Sequence, residues 1–195
     1  MREKIISKAT GLFLKLGFKN VTMDDIASEL CVSKKTIYKY FPGKEILVRE
    51  ITAIIHKAVH ENIKAIVAQN FNAIEENFQV RRVFKEMFKA VNSSPIYQLK
   101  KMYPNIYSAL LLKEVHQCKR LFKQNIEKGI QQGLYRKDVS IEHYASFYYT
   151  LIFSLNQENN RFKSDFDKLE IEALEYHTRA MATPKGILEL EKHIV

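Results

Sequence analysis

Glycine and cysteine are scarce in this chain, and each scarcity closes off a class of function. Six glycines among 195 residues leave little scope for a phosphate-cradling loop, and no glycine-rich nucleotide motif or nucleophile elbow is present. The two cysteines, Cys31 and Cys118, form no CxxC pair. A disulfide framework is therefore not expected, and a reducing cytoplasm fits the usage. No apolar run approaches the roughly 20 residues that span a bilayer. The opening M-R-E-K-I-I-S-K-A-T lacks the apolar core of a secretory signal. Sustained strand alternation is missing, as is any catalytic constellation. The expectation is a soluble, cytoplasmic, all-α protein that is not an enzyme and needs no cofactor.

What is abundant is positive charge and helical periodicity. Thirty-one Lys and Arg against 22 Asp and Glu leave a formal net charge of +9, which favours a polyanionic partner. That charge is spread over several helical segments, which argues against a membrane surface. Apolar residues at 46%, with 11% aromatic, are enough for a packed core rather than a disordered chain.

Residues 3–16 place Ile5, Ile6, Ala9, Leu12, Phe13 and Leu16 on one stripe, closed by Gly17. Further helical segments read at 44–69, at 72–91, from Pro95 to about Met102, from Pro104 to Gln132, at 141–157 behind Ser140, at 166–181 behind Ser164 or Asp165, and after Pro184. The spacing divides the chain into an N-terminal module, 1–45, and a larger helical domain, 46–195, bridged by the 44–69 helix.

The run Val21–Lys44, V-T-M-D-D-I-A-S-E-L-C-V-S-K-K-T-I-Y-K-Y-F-P-G-K, carries the sharpest signal. Thr22 and Asp25 have capping-box spacing, and Ser33 caps a second short helix. Ile26, Ala27, Leu30, Val32, Ile37 and Phe41 form a buried side. Lys34, Lys35, Thr36, Tyr38, Lys39 and Tyr40 are left outward. That is a helix-turn-helix, in which the second helix enters the DNA major groove. Thr22 and Ser33 stand at helix N-termini, where phosphate is favoured. Lys34, Lys35 and Thr36 are placed to meet base edges. The expected partner is double-stranded DNA carrying a palindromic operator.

Three blocks, I-I-S-K-A-T-G-L-F-L-K-L-G-F, V-T-M-D-D-I-A and V-S-K-K-T-I-Y-K-Y-F-P-G-K-E-I-L, make residues 5 to about 50 resemble the TetR family of bacterial transcriptional regulators. The resemblance implies three N-terminal helices for DNA, a divergent helical domain for an effector, and a homodimer paired through its last two long helices. It also implies phosphate contacts from Tyr38 and Tyr40, and a backbone contact from Lys44. Two positions depart from the pattern. Cys31 and Lys35 both stand where the family often has glycine, and a cysteine in the turn must bear strain or shift it.

The larger domain is rich in aromatic residues, most of them core or interface. Phe84, Phe88, Tyr103, Tyr107, His116 and Tyr149 are the candidates for a pocket holding an apolar or aromatic effector. His116 reads more readily as a hydrogen-bonded core histidine than as a ligand contact. Gln117, Asn125, Ser146, Thr150 and Asn156 either orient a ligand or satisfy one another. His56 and His60 have the i, i+4 spacing of a metal pair, but no third ligand is evident; a solvated or partly packed face is expected and no metal site is assigned. On 141–157, Ile141, Ala145 and Ile152 are expected to face the core, with Tyr144, Tyr148, Leu151 and Leu155 toward a partner. The reading is a repressor released by a small apolar or aromatic effector. The alternative is a dimeric DNA-binding regulator with no effector.

Overall fold

The computed structural model describes residues 1–88, 95–158 and 165–194, with backbone alone at 84, 88, 95, 96 and 156–158. Their helices, in chain order, are α1 (Arg2–Leu16), α2 (Met23–Glu29), α3 (Lys34–Tyr40), α4 (Lys44–Val67), α5 (Ala73–Phe88), α6 (Pro95–Met102), α7 (Pro104–Gln131), α8 (Ile141–Glu158), α9 (Phe166–Met181) and α10 (Pro184–Leu190). Among the described residues the β pairing is an isolated bridge, Tyr135 to Ala182. The all-α expectation holds, and observed helix ends lie within about three residues of those read from periodicity. Residues 89–91 and Ser164, which that reading included, lie outside the described residues.

The chain packs as two units. The first comprises Met1–His60 with Met87–Leu110; the second comprises Glu61–Glu86 with Leu111–Val195.

In the first unit, Ile5, Ala9 and Phe13 of α1, Ile26 and Ala27 of α2, Ile37 of α3 and Leu47, Val48 and Ile51 of α4 are all buried. Burying the Ile, Leu, Val and Phe side chains among them contributes roughly 1.5–3 kcal/mol each before entropy is charged against it. Helix α1 ends where Gly17 takes φ 83°, its N–H bonded to the Phe13 carbonyl. A Cβ at Gly17 would fall 2.5–2.6 Å from the Gln98 amide. Phe18 is tied down from three sides. Its N–H donates to Gln98 Oε1 at 2.7 Å, its carbonyl accepts from Lys44 Nζ at 2.5 Å, and its ring packs against Phe13 and Tyr103.

In the second unit the core gathers Ala73, Ile74, Ile126, Leu134, Tyr135, Val139, Ala145, Met181 and Leu190. Here the segment G-I-Q-Q-G-L-Y-R explains itself: the Tyr135 ring occupies the space that a Cβ on Gly129 would need, 2.1–2.8 Å away. Asn125 is satisfied within this interior. It donates to the Ala73 carbonyl and to Glu76, and accepts from Asn77, at 2.8–2.9 Å. Glu76 in turn pairs with Lys128 at 2.7 Å. Asn125 therefore belongs to a structural network, as buried polar groups generally must.

Helix α8 is rotated relative to expectation. Ala145 is buried as foreseen, but Tyr148 also faces the core, at 9% exposure, because His177 of α9 offers its ring a stacking partner. The outward stripe instead begins at Phe147, 63% exposed, and continues through half-buried Leu151 and Leu155. Ser140 accepts from the His143 N–H at the start of α8, although at 3.4 Å. Asp165 stands at the N-terminus of α9 without a side-chain capping bond.

Candidate DNA-binding site

The helix-turn-helix is assembled by local hydrogen bonds. Thr22 Oγ1 accepts from the Asp25 N–H at 3.1 Å, while the Asp25 carboxylate accepts from the Thr22 N–H at 2.7 Å and from its hydroxyl at 2.8 Å. This reciprocal box satisfies two donors that a helix start otherwise leaves unpaired. The Thr22 hydrogen bonds, the backbone one first, hold the Asp25 carboxyl below its usual range.

The turn that follows is tight. Val32 N–H reaches the Ala27 carbonyl at 3.0 Å and Cys31 N–H the Ser28 carbonyl at 3.0 Å. Small, buried Ala27 makes the approach feasible. Cys31 sits at φ 53°, in the left-handed region that costs a side-chain-bearing residue about 1–2 kcal/mol. The cysteine thus bears the strain rather than reshaping the turn.

Ser33 Oγ then accepts from the Thr36 N–H at 3.1 Å and meets the Thr36 hydroxyl at 2.8 Å. Helix α3 has one fully buried side chain, Ile37. Lys34, Lys35, Tyr38, Lys39 and Tyr40 are exposed, and Thr36 is half-buried. Lys34 Nζ pairs with the Asp24 carboxylate at 2.9 Å and lies 5.9 Å from the Tyr38 ring centre. The hydrogen bond to Asp24 raises the Lys34 pKa. Lys44 is drawn inward: besides its bond to Phe18, its ammonium lies 5.9 Å from the Phe13 ring centre, and burial lowers its pKa.

The candidate effector residues fall in different places. Tyr103 is half-buried against Phe18 and Tyr107 is buried beneath Lys100, both in the first unit. Tyr149, in the second, stacks on Phe153 at 5.5 Å with Lys119 over its ring. His116 is exposed, so it is not a core histidine. Gln117, beside it in sequence, instead has a buried Oε1 with no hydrogen-bond partner among the described residues. Thr150 returns its hydroxyl to the Ser146 carbonyl. The side chains of Phe84, Phe88 and Asn156 lie outside the described residues.

Sequence reasoning missed two features here. The Asp24–Lys34 pair follows from no motif, since the two residues are ten apart on different helices. Gln98 is one amide in a short amphipathic helix, and nothing local marks it as a support for the first unit.

Residues 5–51 match the profile of bacterial regulatory proteins of the tetR family. The HTH-type transcriptional regulator YdeS of Bacillus subtilis (strain 168) is 30% identical over 178 residues, covering 84% of both chains. The chain belongs to the TetR family. A second relative is the negative transcriptional regulator IcaR of the biofilm operon icaADBC in Staphylococcus aureus. It is 24% identical over 110 residues, or 56% of this chain, and the match spans about half of IcaR, 53%. Among solved structures, a transcriptional regulator from Saccharomonospora viridis in complex with choline has a TM-score of 0.73 at 20% identity. That alignment covers 93% of this chain and 97% of the other. This likeness extends the TetR-type fold well beyond the 47 residues of the profile. No described helix is long and apolar enough to cross a membrane.

Proposed function

We propose that this TetR-family chain is a homodimeric repressor that binds a palindromic operator through α3 and is released by a small apolar or aromatic effector. The observation that carries the reading is the division of α3. Ile37 is buried, while lysines and tyrosines cover the remaining surface. Lys34, Lys35 and Thr36 read base edges; Thr22, Ser33, Tyr38, Tyr40 and Lys44 hold phosphates and register. Repression is supported by the negative regulation stated for IcaR.

Residues 1–45 are assigned to DNA, and 46–195 to the effector and to dimerisation. Paired recognition helices require half-sites about 34–36 Å apart, or a multiple of that. Helix α4 contributes residues to both packed units, which supports its role as the link between effector and operator. A typical coupling of about 1–3 kcal/mol changes operator affinity roughly 5- to 150-fold. The ring pair Tyr149–Phe153 of the second unit suits an apolar or aromatic ligand, with the Gln117 amide as a polar anchor.

The test is selection of an operator from randomised DNA, followed by a thermal-shift screen of hydrophobic compounds, dyes and lipids. A compound that stabilises the protein and lowers operator affinity supports the reading. Selection of no preferred sequence refutes the DNA assignment. Operator binding with no stabilising compound leaves a dimeric regulator without an effector.

A further inference from the structure

Helix α4 carries Thr52, His56 and His60 at i, i+4 and i+8, one stripe of a helix that is otherwise largely apolar on its inner side. From the sequence the histidines are expected on a solvated or partly packed face. The structure draws them in: His60 is 8% exposed and His56 is half-buried. The Thr52 hydroxyl oxygen on the same stripe is buried with no hydrogen-bond partner among the described residues. The Nε2 atoms of His56 and His60 converge to 3.2 Å, with ring centres 4.4 Å apart and planes inclined at 58°.

Imidazole nitrogens at this separation can share one N–H proton or direct both lone pairs at a common cation. The distance decides what such a cation can be. Metal–nitrogen bonds of about 2.05 Å, spanning 3.2 Å, meet at about 103°. That angle lies between the right angle of a square-planar site and the tetrahedral value of about 109°, the range used by late first-row divalent ions. A magnesium or calcium site would instead present oxygen ligands.

We infer that His56 and His60 are a two-histidine chelate for a late first-row divalent cation of the zinc, nickel or copper type. Both rings ligate through Nε2 in their neutral form. Water or another oxygen donor completes the coordination. This site is independent of the operator reading, and its test involves no DNA.

The metal-free full-length chain is titrated with Zn²⁺ against a chromophoric chelator, alongside H56Q, H60Q and, as a control elsewhere on the chain, H143Q. The expected result is one equivalent bound per chain, with affinity lowered at least tenfold in H56Q and H60Q but unchanged in H143Q. Nitrogen NMR of the wild-type imidazoles, which needs no variant to fold, should show two Nε2 resonances moving on Zn²⁺ addition and returning with a chelator. Absence of saturable binding would overturn the assignment and leave a histidine–histidine hydrogen bond. Equal affinity in all four proteins, or zinc-induced shifts confined to other histidines, would overturn it as well.

Discussion

The ring of His177 lies flat on the ring of Tyr148, with planes 10° from parallel and centroids 4.3 Å apart. Both side chains are buried, and desolvation pushes the His177 pKa down from 6.5 to about 4. Folding therefore penalises the imidazolium.

As the pH falls below about 6.5, the unfolded chain takes up this proton first. Stability is then lost progressively until the folded state is protonated too, near pH 4. The full span is worth about 3 kcal/mol at most, at 1.36 kcal/mol per unit. The H177F variant keeps a ring against Tyr148 and removes the titration. Denaturant unfolding from pH 7.5 to 4.5 should show the wild type losing more stability than H177F over that interval. Parallel curves would place the acid sensitivity elsewhere.

Asp24 holds Lys34 at 2.9 Å, so part of the recognition helix's charge is answered before DNA arrives. D24N should strengthen binding to all DNA sequences several-fold and steepen the salt dependence. Stability should hardly change, since exposed ion pairs contribute little. K35A and T36A should instead change preference among operators, while Y38F weakens all of them alike. Anisotropy titrations on cognate and scrambled duplexes at several salt concentrations separate these patterns. Equal losses for every variant on every duplex would void the division of roles.

Cys31 should be replaceable to advantage. Glycine removes the left-handed strain at φ 53°, although it adds freedom to the unfolded chain; the balance for C31G is a gain of about 0.5–1 kcal/mol. The two thiols should also differ in reactivity. Cys31 is exposed, whereas burial, chiefly, pushes the Cys118 thiol up, aided by Glu114. Iodoacetamide should label Cys31 first in the native protein, as peptide mass mapping would read. A lowered melting temperature in C31G would mean that the sulfur contributes packing of its own.

Dimerisation is expected through α8 and α9, where Phe147 is 63% and Tyr176 is 73% exposed. Charged replacements at Phe147 and Leu151, or at Tyr176, should give monomers with poor affinity for palindromic DNA. Sedimentation at micromolar concentration checks this, and an undisturbed dimer would move the interface to other surfaces.

The helix-turn-helix was legible because each of its requirements is local. The Thr22–Asp25 box, the Ser33 cap and the spacing of Ile26, Ala27 and Ile37 all act within a few residues. Helix positions elsewhere were legible for the same reason, through Gly17, Pro104 and Pro184. Rotation about a helix axis was not. Tyr148 turned inward because His177, 29 residues on, stacks with it, and no periodicity in α8 encodes a partner on α9. Lys44 shows a related limit: the family resemblance implied a backbone contact to DNA, but not that its ammonium also bonds the Phe18 carbonyl.

Gln98 sets the terms on which the DNA-reading part can be moved between proteins. Its amide supplies the bond to Phe18 and fills the space beside Gly17, yet it lies 80 residues away from Phe18 in the chain. A graft of residues 1–45 onto a foreign helical body would leave that amide behind, together with the Tyr103 ring. The transplantable cassette is discontinuous, needing 87–110 as well as 1–60, and a chimera joined at residue 45 inherits the reading head without its keystone.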